Sequence, residues 1–344
     1  MTIKDIAKLA GVSVSTVSRA INDDAEISKS TKKHILEIIK KTGYIPNNSA
    51  RNLKRIENDS IAVIVKSITN IFFNKFIHVF EHAAGQKNYE LVLRHVADHD
   101  DELKIAEELT KEKRLKGIIF LGGERLDSLE QVSNLSVPFV YCTVNQLEEI
   151  KDELSLVTVD DVNESFKVVS HLIELGHKRI SIITNKLSRD NASTLRFLGY
   201  KKALEAYNLQ VDPDLLHFLP ENNDSFSLEN GYNLTMEVFK KKTPKCSAVF
   251  VISDILAIGV IRALKDLGYS VPEDFSVAGF DGIELGQYYT PRLTTIRQPA
   301  DELAIKSINL LFQMIENKNY RNIEILEGDL IIGESTAKYK MQER

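Results

Sequence analysis

The run from Thr2 to Asn22, TIKDIAKLAGVSVSTVSRAIN, restricts this chain more than any other stretch. Ile3, Ile6, Ala7 and Ala10 recur at i, i+3, i+4 and i+7, which places them on one face of a short helix, capped by Thr2 with Asp5 as its reciprocal partner. Gly11 ends that helix. Ser13 can cap a second one, whose Val17, Ala20 and Ile21 face inward while Val14, Ser15, Ser18, Arg19 and Asn22 point outward. Two short helices joined through a glycine turn, the second rich in small residues and carrying one outward arginine, read as a helix-turn-helix. The same spacing suits two helices of an ordinary bundle, so the next residues matter. A third helix, STKKHILEIIKKTGY, starts near Ser28 or Ser30, buries Ile35, Ile38 and Ile39, and stops at Gly43, giving a small self-sufficient core with a basic exterior.

Charge separates this head from the rest. Residues 1–58 sum to +5 while the whole chain is at -5, which leaves -10 on residues 59–344. A basic head on an acidic body suits a polyanionic partner for the head alone. At 344 residues the chain exceeds one typical domain. It has no run of 18 or more apolar residues and no basic-then-apolar leader, so a cytoplasmic protein without a membrane partner is expected. Cys142 and Cys246 lack any C-x-x-C spacing and read as reduced core residues.

Residues 44–59, YIPNNSARNLKRIEND, read as a joint: Pro46 and two asparagines stop the preceding structure, and SARNLKR is long enough for about two helical turns, marginal in isolation. Leu53 stands among Arg51, Lys54 and Arg55, where a leucine beside a DNA reader can wedge between base pairs in the minor groove. From Ile61 onward strands and helices alternate. The first series holds the strands IAVIVKSI, YELVLRHV, GIIFLGG and PFVYCTV, with helices over 72–87 and 101–113 and a weaker one over 126–133. After residue 160 come helices over 162–175, 195–208, 228–241 and 255–267, with the strands RISIIT, SAVFVI and FSVAGF. The alternation predicts two doubly wound parallel sheets, with ligands at the strand ends and in the cleft between lobes.

Few motifs of enzyme chemistry are present. There is no G-x-G-x-x-G, no G-x-x-x-x-G-K-S/T and no G-x-S-x-G, so neither a nucleotide cofactor nor an activated serine is expected. His78 and His82 in HVFEH match one zinc-hydrolase spacing, but Phe76, Val79, Phe80 and Ala83 make that segment an amphipathic helix and no third ligand suggests itself. Polar groups at strand ends are the better candidates: Thr143 and Asn145 after PFVYCTV, Asp160 after LVTV, Ser253 and Asp254 after SAVFVI, and Asp281 ending FSVAGF. Carboxylates, hydroxyls and an arginine against aromatic faces are what a polyol requires. Taken singly, helix capping explains Asp254 and a turn explains Asp281.

Over essentially its whole length the chain resembles the lactose/galactose repressor family of bacterial transcription regulators. The head matches T-I-x-D-I/V-A-x-x-A-G-V-S-x-x-T-V-S-R from Thr2 to Arg19, and the joint matches G-Y-x-P-N-x-x-A-R-x-L from Gly43 to Leu53. The body matches at HLIELGHKRI (His171 to Ile180), RFLGY (Arg196 to Tyr200), VPEDFSVAGFD (Val271 to Asp281) and TPRLTTIRQP (Thr290 to Pro299). The resemblance implies a small all-α helix-turn-helix head (1–46), a hinge helix or linker (47–59) and an α/β two-lobed, periplasmic-binding-protein-like body (60–344) for effector binding and dimerisation. Chain crossings are expected near 160, 291 and 322, so that one lobe takes about 60–160 and 292–321 and the other about 161–291 and 322–340.

For function the resemblance implies a homodimeric repressor on near-palindromic operator DNA, not an enzyme and without a cofactor. Val14 and Ser15 would discriminate bases and Arg19 would read the groove. Thr2, Ser13, Thr16, Ser18 and Asn22 complete the head's DNA-facing set, and Asn47, Ala50, Leu53 and Lys54 that of the hinge. Asn70, Phe73, Thr143, Asp160, Arg196, Phe226, Ser253 and Asp281 would contact a sugar or sugar derivative. Ile71, Thr143, Gly282 and Gly333 depart from the family's common proline, aspartate, second acid and arginine, so the identity of the sugar does not transfer. Only nine residues follow Ser335, too few for tetramer-forming heptads, which favours a dimer. The alternatives are a regulator of this fold controlled by a protein partner such as a phosphorylated carrier protein, and a transport-type solute-binding protein. The latter would need an export leader and has no use for a basic helix-turn-helix.

Overall fold

The computed structural model describes residues 1–21, 27–44, 59–67, 69–97, 100–124, 126–145, 150, 152–187, 191–220, 226–241 and 245–340. The chain divides into two compact units, Met1–Asn58 and Asp59–Arg344.

The first unit contains α1 (Ile3–Ala10), α2 (Val14–Ile21) and α3 (Lys29–Thr42). At the start of α1 the backbone N–H of Thr2 donates to the Asp5 carboxylate at 2.8 Å, while Thr2 Oγ1 accepts from Asp5 N, closing a capping box. Gly11 ends the helix in the left-handed region, at φ 65. Ser13 Oγ accepts from Thr16 N at 3.1 Å, and Ser28 Oγ accepts from Thr31 N at 3.2 Å, so a serine caps each of the next two helices. Ile6, Ala7, Val17, Ala20 and Ile35 form the core, with Ile3, Ala10, Ile21, Ile38 and Ile39 packed partly buried around it.

The second unit contains twelve strands among the described residues: β1 (Ser60–Lys66), β2 (Glu90–Val96), β3 (Leu115–Leu121), β4 (Phe139–Cys142), β5 (Leu156–Val159), β6 (Ile180–Thr184), β7 (Leu216–Phe218), β8 (Ala248–Val251), β9 (Ser276–Asp281), β10 (Thr294–Arg297), β11 (Ile323–Leu326) and β12 (Asp329–Ile331). The helices between them are α4 (Asn74–Gln86), α5 (Glu102–Glu112), α6 (Asp161–Glu174), α7 (Ala192–Ala206), α8 (Leu228–Lys241), α9 (Asp254–Asp266), α10 (Glu284–Tyr288) and α11 (Ala300–Glu316). The strands form two six-stranded sheets, ordered β11-β5-β4-β3-β1-β2 and β12-β10-β9-β8-β6-β7. All pairings are parallel except that of β10 with β12.

Parallel strands joined through helices must bury both faces, and β1 shows how. Ile61, Val63 and Val65 join Phe76 and Phe80 of α4 and Leu303 and Leu311 of α11, while Ala62 and Ile64 meet Ala106 and Leu109 of α5 on the other face. In each sheet the strand order reverses once, between β1 and β3 and between β6 and β8. The carboxyl ends of those strands are where an open α/β sheet leaves a crevice.

Two of the expected crossings differ. The chain leaves the first sheet after β5, near residue 160, but β10 (Thr294–Arg297) still belongs to the second sheet and β11 (Ile323–Leu326) to the first. The return passages therefore fall after Arg297 and after Leu326, rather than near 291 and 322. Thr294 and Thr295 are fully buried and pair with Ala278 and Gly279, so this strand lacks the apolar run that marks the others. The weak helix expected over 126–133 is a 3-10 turn, Leu129–Val132, and a similar turn, Ile71–Phe73, precedes α4. Among the described residues no helix is long and apolar enough to cross a membrane.

Candidate DNA-facing surface and effector cleft

The head's chemistry follows from what its core leaves outside. With Val17 and Ala20 of α2 buried, Val14 is 40% exposed and Ser13, Ser15 and Arg19 are exposed, while Thr16 and Ser18 are half-buried. A short helix displaying a methyl group, hydroxyls and a guanidinium offers one partner each for a thymine methyl, a mixed donor-acceptor edge and guanine. Thr2 is exposed at the head of α1, with its hydroxyl engaged in the cap. Asn22, Asn47, Ala50, Leu53 and Lys54 lie outside the described residues.

In the body the carboxyl ends of both sheets line a cleft of about 510 Å³, within the range of about 300–1,000 Å³ usual for small-molecule sites. Asn70, Phe73 and Thr143 come from the first lobe, and Arg196, Phe226 and Asp281 from the second. Asn70 Oδ1 accepts from Phe72 N at 3.1 Å, fixing the 3-10 turn that turns Phe73 into the cleft, and its Nδ2 lies 3.5 Å from Asp281 Oδ2 across the lobes. Gly122 permits this: a Cβ there would come within 2.6 Å of the Phe73 ring, and its φ of 67 favours glycine.

Arg196 and Asp281 are the electrostatic centre of the second wall. The Arg196 guanidinium donates to Asp161 Oδ1 at 2.8 Å and to the Ile252 carbonyl at 2.6 Å, lies 3.5 Å from Asp281 Oδ1, and covers the Phe280 ring at 3.8 Å. Asp281 also accepts from Ser253 Oγ at 2.8 Å and Gln298 Nε2 at 2.9 Å. Its φ of 122 is rare outside glycine. Asp254 holds the turn in place, accepting from Gly282 N at 2.7 Å, Ile283 N at 2.9 Å and Thr295 Oγ1 at 2.6 Å. Two buried carboxylates, Asp161 and Asp281, thus share one guanidinium, and a third, Asp254, lies close enough to Asp281 to feel its charge. Burial pushes Asp161 up to about 6 against the pull of Arg196, and burial with the neighbouring Asp281 charge raises Asp254 well above the usual carboxylate range. Asp281 is raised as well, by burial.

Two sequence-derived candidates do not line the cleft. Asp160 is exposed and spends its carboxylate on α6, accepting from Asn163 N at 3.0 Å, so helix capping explains it. Ser253 is fully buried behind Asp281 and orients that carboxylate from the back. Conversely Gln298, Lys66, Glu124 and Asn185 line the cleft without having been singled out. Lys66 ends β1, and the other three lie within three residues past a strand end, a weak signal that many residues share. Gly282 packs against the Arg297 backbone, leaving no room for a side chain.

His82 Nε2 pairs with Gln86 at 2.9 Å, and no cluster of potential metal ligands occurs among the described residues. Both cysteines are free, and burial pushes their thiols up to about 12.

Residues 2–47 match the bacterial regulatory proteins of the lacI family, and residues 169–336 match the periplasmic binding protein-like domain. The HTH-type transcriptional regulator MalR of Clostridium butyricum is 37% identical over 336 residues, covering 96% of this chain and 98% of the relative. Among solved structures, the transcriptional regulator CelR in complex with cellobiose superposes with a TM-score of 0.70 at 26% identity, covering 97% of this chain and 99% of the other. The lac repressor dimer bound to operator and the anti-inducer ONPF gives 0.71 at 25% identity, covering 98% and 99%. With a helix-turn-helix head, a doubly wound two-lobed body and relatives that are regulators rather than enzymes, the chain is a transcription regulator and belongs to the lacI family of bacterial regulatory proteins.

Proposed function

We propose that this regulator is a cytoplasmic repressor that grips near-palindromic operator DNA as a homodimer and loosens or tightens that grip when a sugar or sugar derivative enters the cleft. The observation that carries the reading is the cleft itself, where Arg196, Asp281, Gln298 and Asn70 meet beside Phe73 and Phe226. Charged hydrogen-bonding groups set beside aromatic faces suit a ring with hydroxyls around its edge and C–H groups on its face. Cellobiose in the complex of CelR, and operator bound by the lac repressor dimer, support the two halves of the proposal.

In the head, Val14, Ser15 and Arg19 read bases, and Thr2, Ser13, Thr16, Ser18 and Asn22 set the register. Asn47, Ala50, Leu53 and Lys54 act in the hinge, with Leu53 as the minor-groove wedge. Sugar and operator are thermodynamically coupled, so a sugar that weakens operator binding must itself bind the operator complex less tightly, by a free energy of about 1–3 kcal/mol in typical cases.

The test is a thermal-shift screen of sugars on the purified chain, followed by operator titration with and without the hits, using duplex selected from a randomised DNA pool. Arg196→Ala, with Arg196→Lys as the milder companion, is expected to abolish the sugar's effect on operator affinity while the head still binds DNA. A normal response in both variants would move the site elsewhere, and a response only in the presence of a phosphorylated carrier protein would replace the sugar reading.

A further inference from the structure

The cleft carries a second charged pair on the wall opposite Arg196 and Asp281. Lys66 Nζ lies 2.8 Å from Glu124 Oε1, with the lysine side chain 6% exposed and the glutamate 55% exposed. Both line the cleft. Lys66 is the last residue of β1 and Glu124 lies three residues past the end of the adjacent β3, for Val65 of β1 pairs with Leu121 of β3, at the point where the strand order of the first sheet reverses. A lysine withdrawn this far from water costs hydration that a surface lysine would keep, so its place on a ligand wall calls for a function. The loop that presents Glu124 is fixed from behind, where the buried Glu102 carboxylate accepts from Glu124 N at 3.0 Å.

Size and unmet hydrogen bonding point the same way. A volume of about 510 Å³ equals roughly 17 water-sized units of about 30 Å³, whereas one hexopyranose with its hydroxyls displaces roughly six or seven. Two buried polar atoms on the cleft walls have no hydrogen-bond partner among the described residues, Thr143 Oγ1 on the first lobe and Asn185 Oδ1 on the second. The register that pairs Leu121 with Cys142 sets Thr143 beside Gly122, hence beside the Lys66–Glu124 pair. The Phe73 ring, packed on Gly122, supplies an apolar face next to that pair.

Building on the effector reading above, we propose that the cleft takes an uncharged glycan of two rings. Arg196, Asp281 and Gln298 hold one ring; Lys66, Glu124 and Thr143 hold the other and set the preference for a disaccharide over a monosaccharide. At each end the carboxylate accepts from one hydroxyl while the cation donates to its neighbour, which is how an ion pair recognises a vicinal diol. An anionic sugar is disfavoured, because a phosphate brought to Lys66 meets Glu124, with Glu102 behind it.

The experiment is calorimetric titration of the full chain with glucose, galactose, maltose, cellobiose, lactose and glucose 6-phosphate. One disaccharide is expected to bind roughly 100-fold more tightly than its component monosaccharides, since a second set of buried polar groups is satisfied only by the second ring. Glu124→Gln, at an exposed and isosteric position, and Lys66→Met are each expected to shrink that ratio by roughly tenfold or more. A monosaccharide that binds as tightly as any disaccharide, or a ratio unmoved by Glu124→Gln, would overturn the second-ring assignment while leaving the effector reading intact. So would a preference for glucose 6-phosphate that Lys66→Met removes, since Lys66 would then be an anion site. Failure of every sugar to bind would bring down the effector reading together with this one.

Discussion

Glu102 offers a measurement that isolates one buried acid from everything around it. It belongs to α5 yet is only 5% exposed; one carboxylate oxygen accepts from Glu124 N at 3.0 Å, and the other, Oε2, is buried without a partner. Burial pushes it from its ordinary 4.5 up to about 7, more than the nearby Lys66 pulls it down. A folded-state value above the unfolded one means that the native protein holds this proton more tightly. The resulting stability is fully present below pH 4.5 and is lost as the pH rises through 7. At about 1.4 kcal/mol per tenfold change in proton affinity the full contribution is about 3 kcal/mol, of which about 2 kcal/mol disappears between about pH 5.5 and 8.5. Glu102→Gln keeps the shape and cannot ionise, so relative to the wild type it should gain about 2 kcal/mol across that interval, equivalent to roughly 3–6 °C in the melting temperature. Calorimetric melts of both proteins at half-unit pH steps read the difference directly, and Asp161, which titrates in the same direction, cancels in the subtraction. Two melting curves that stay parallel from pH 5.5 to 8.5 would refute the buried-acid argument.

Arg19→Ala should weaken operator binding and flatten the preference at one base position by about 1–3 kcal/mol, the usual worth of a bidentate arginine-guanine pair; binding to single-base operator variants checks this, and an unaltered preference would exclude groove reading by Arg19. Ser335→Ala should lower the body's melting temperature, because Ser335 Oγ accepts from Thr294 N at 2.8 Å and donates to the Val277 carbonyl at 2.6 Å, both in the buried second sheet. Two orphaned backbone groups at about 1–3 kcal/mol each set the scale, and an unchanged transition would show that the carboxyl-terminal segment is dispensable to that sheet.

The parts of this structure that were readable in advance are those governed by neighbours in sequence. Thr2 and Asp5 are three residues apart, Gly11 and Gly43 sit where a left-handed residue is required, and the apolar runs of β1, β6 and β8 announce buried strands without help from elsewhere. β10 was unreadable for the opposite reason. Its threonines are buried because Ser335, Thr336 and Asp254, brought in from distant segments, satisfy their hydroxyls and backbone. The cleft divides in the same way. Family motifs point to Arg196 and Asp281, whereas Lys66, Glu124 and Asn185 become neighbours only through the order of strands in the two sheets. Asp160 and Ser253 show the cost of reasoning from proximity to a strand end alone, since capping a helix and propping another carboxylate compete with ligand contact for the same residue types.

The second sheet also dictates an order of events at birth. Its β10 pairs with β12, Val277 N donates to the Ser335 carbonyl at 2.7 Å, and Tyr339 N donates to the Leu175 carbonyl at 2.8 Å. Residues 161–297 therefore emerge from the ribosome more than thirty residues before the segment that completes them, whereas the three-helix head needs nothing made later than residue 44. A nascent chain halted between residues 44 and 329 carries a finished three-helix head on an incomplete second sheet. The sheet that carries Asp281 is closed only once residues 329–339 have been translated and threaded home.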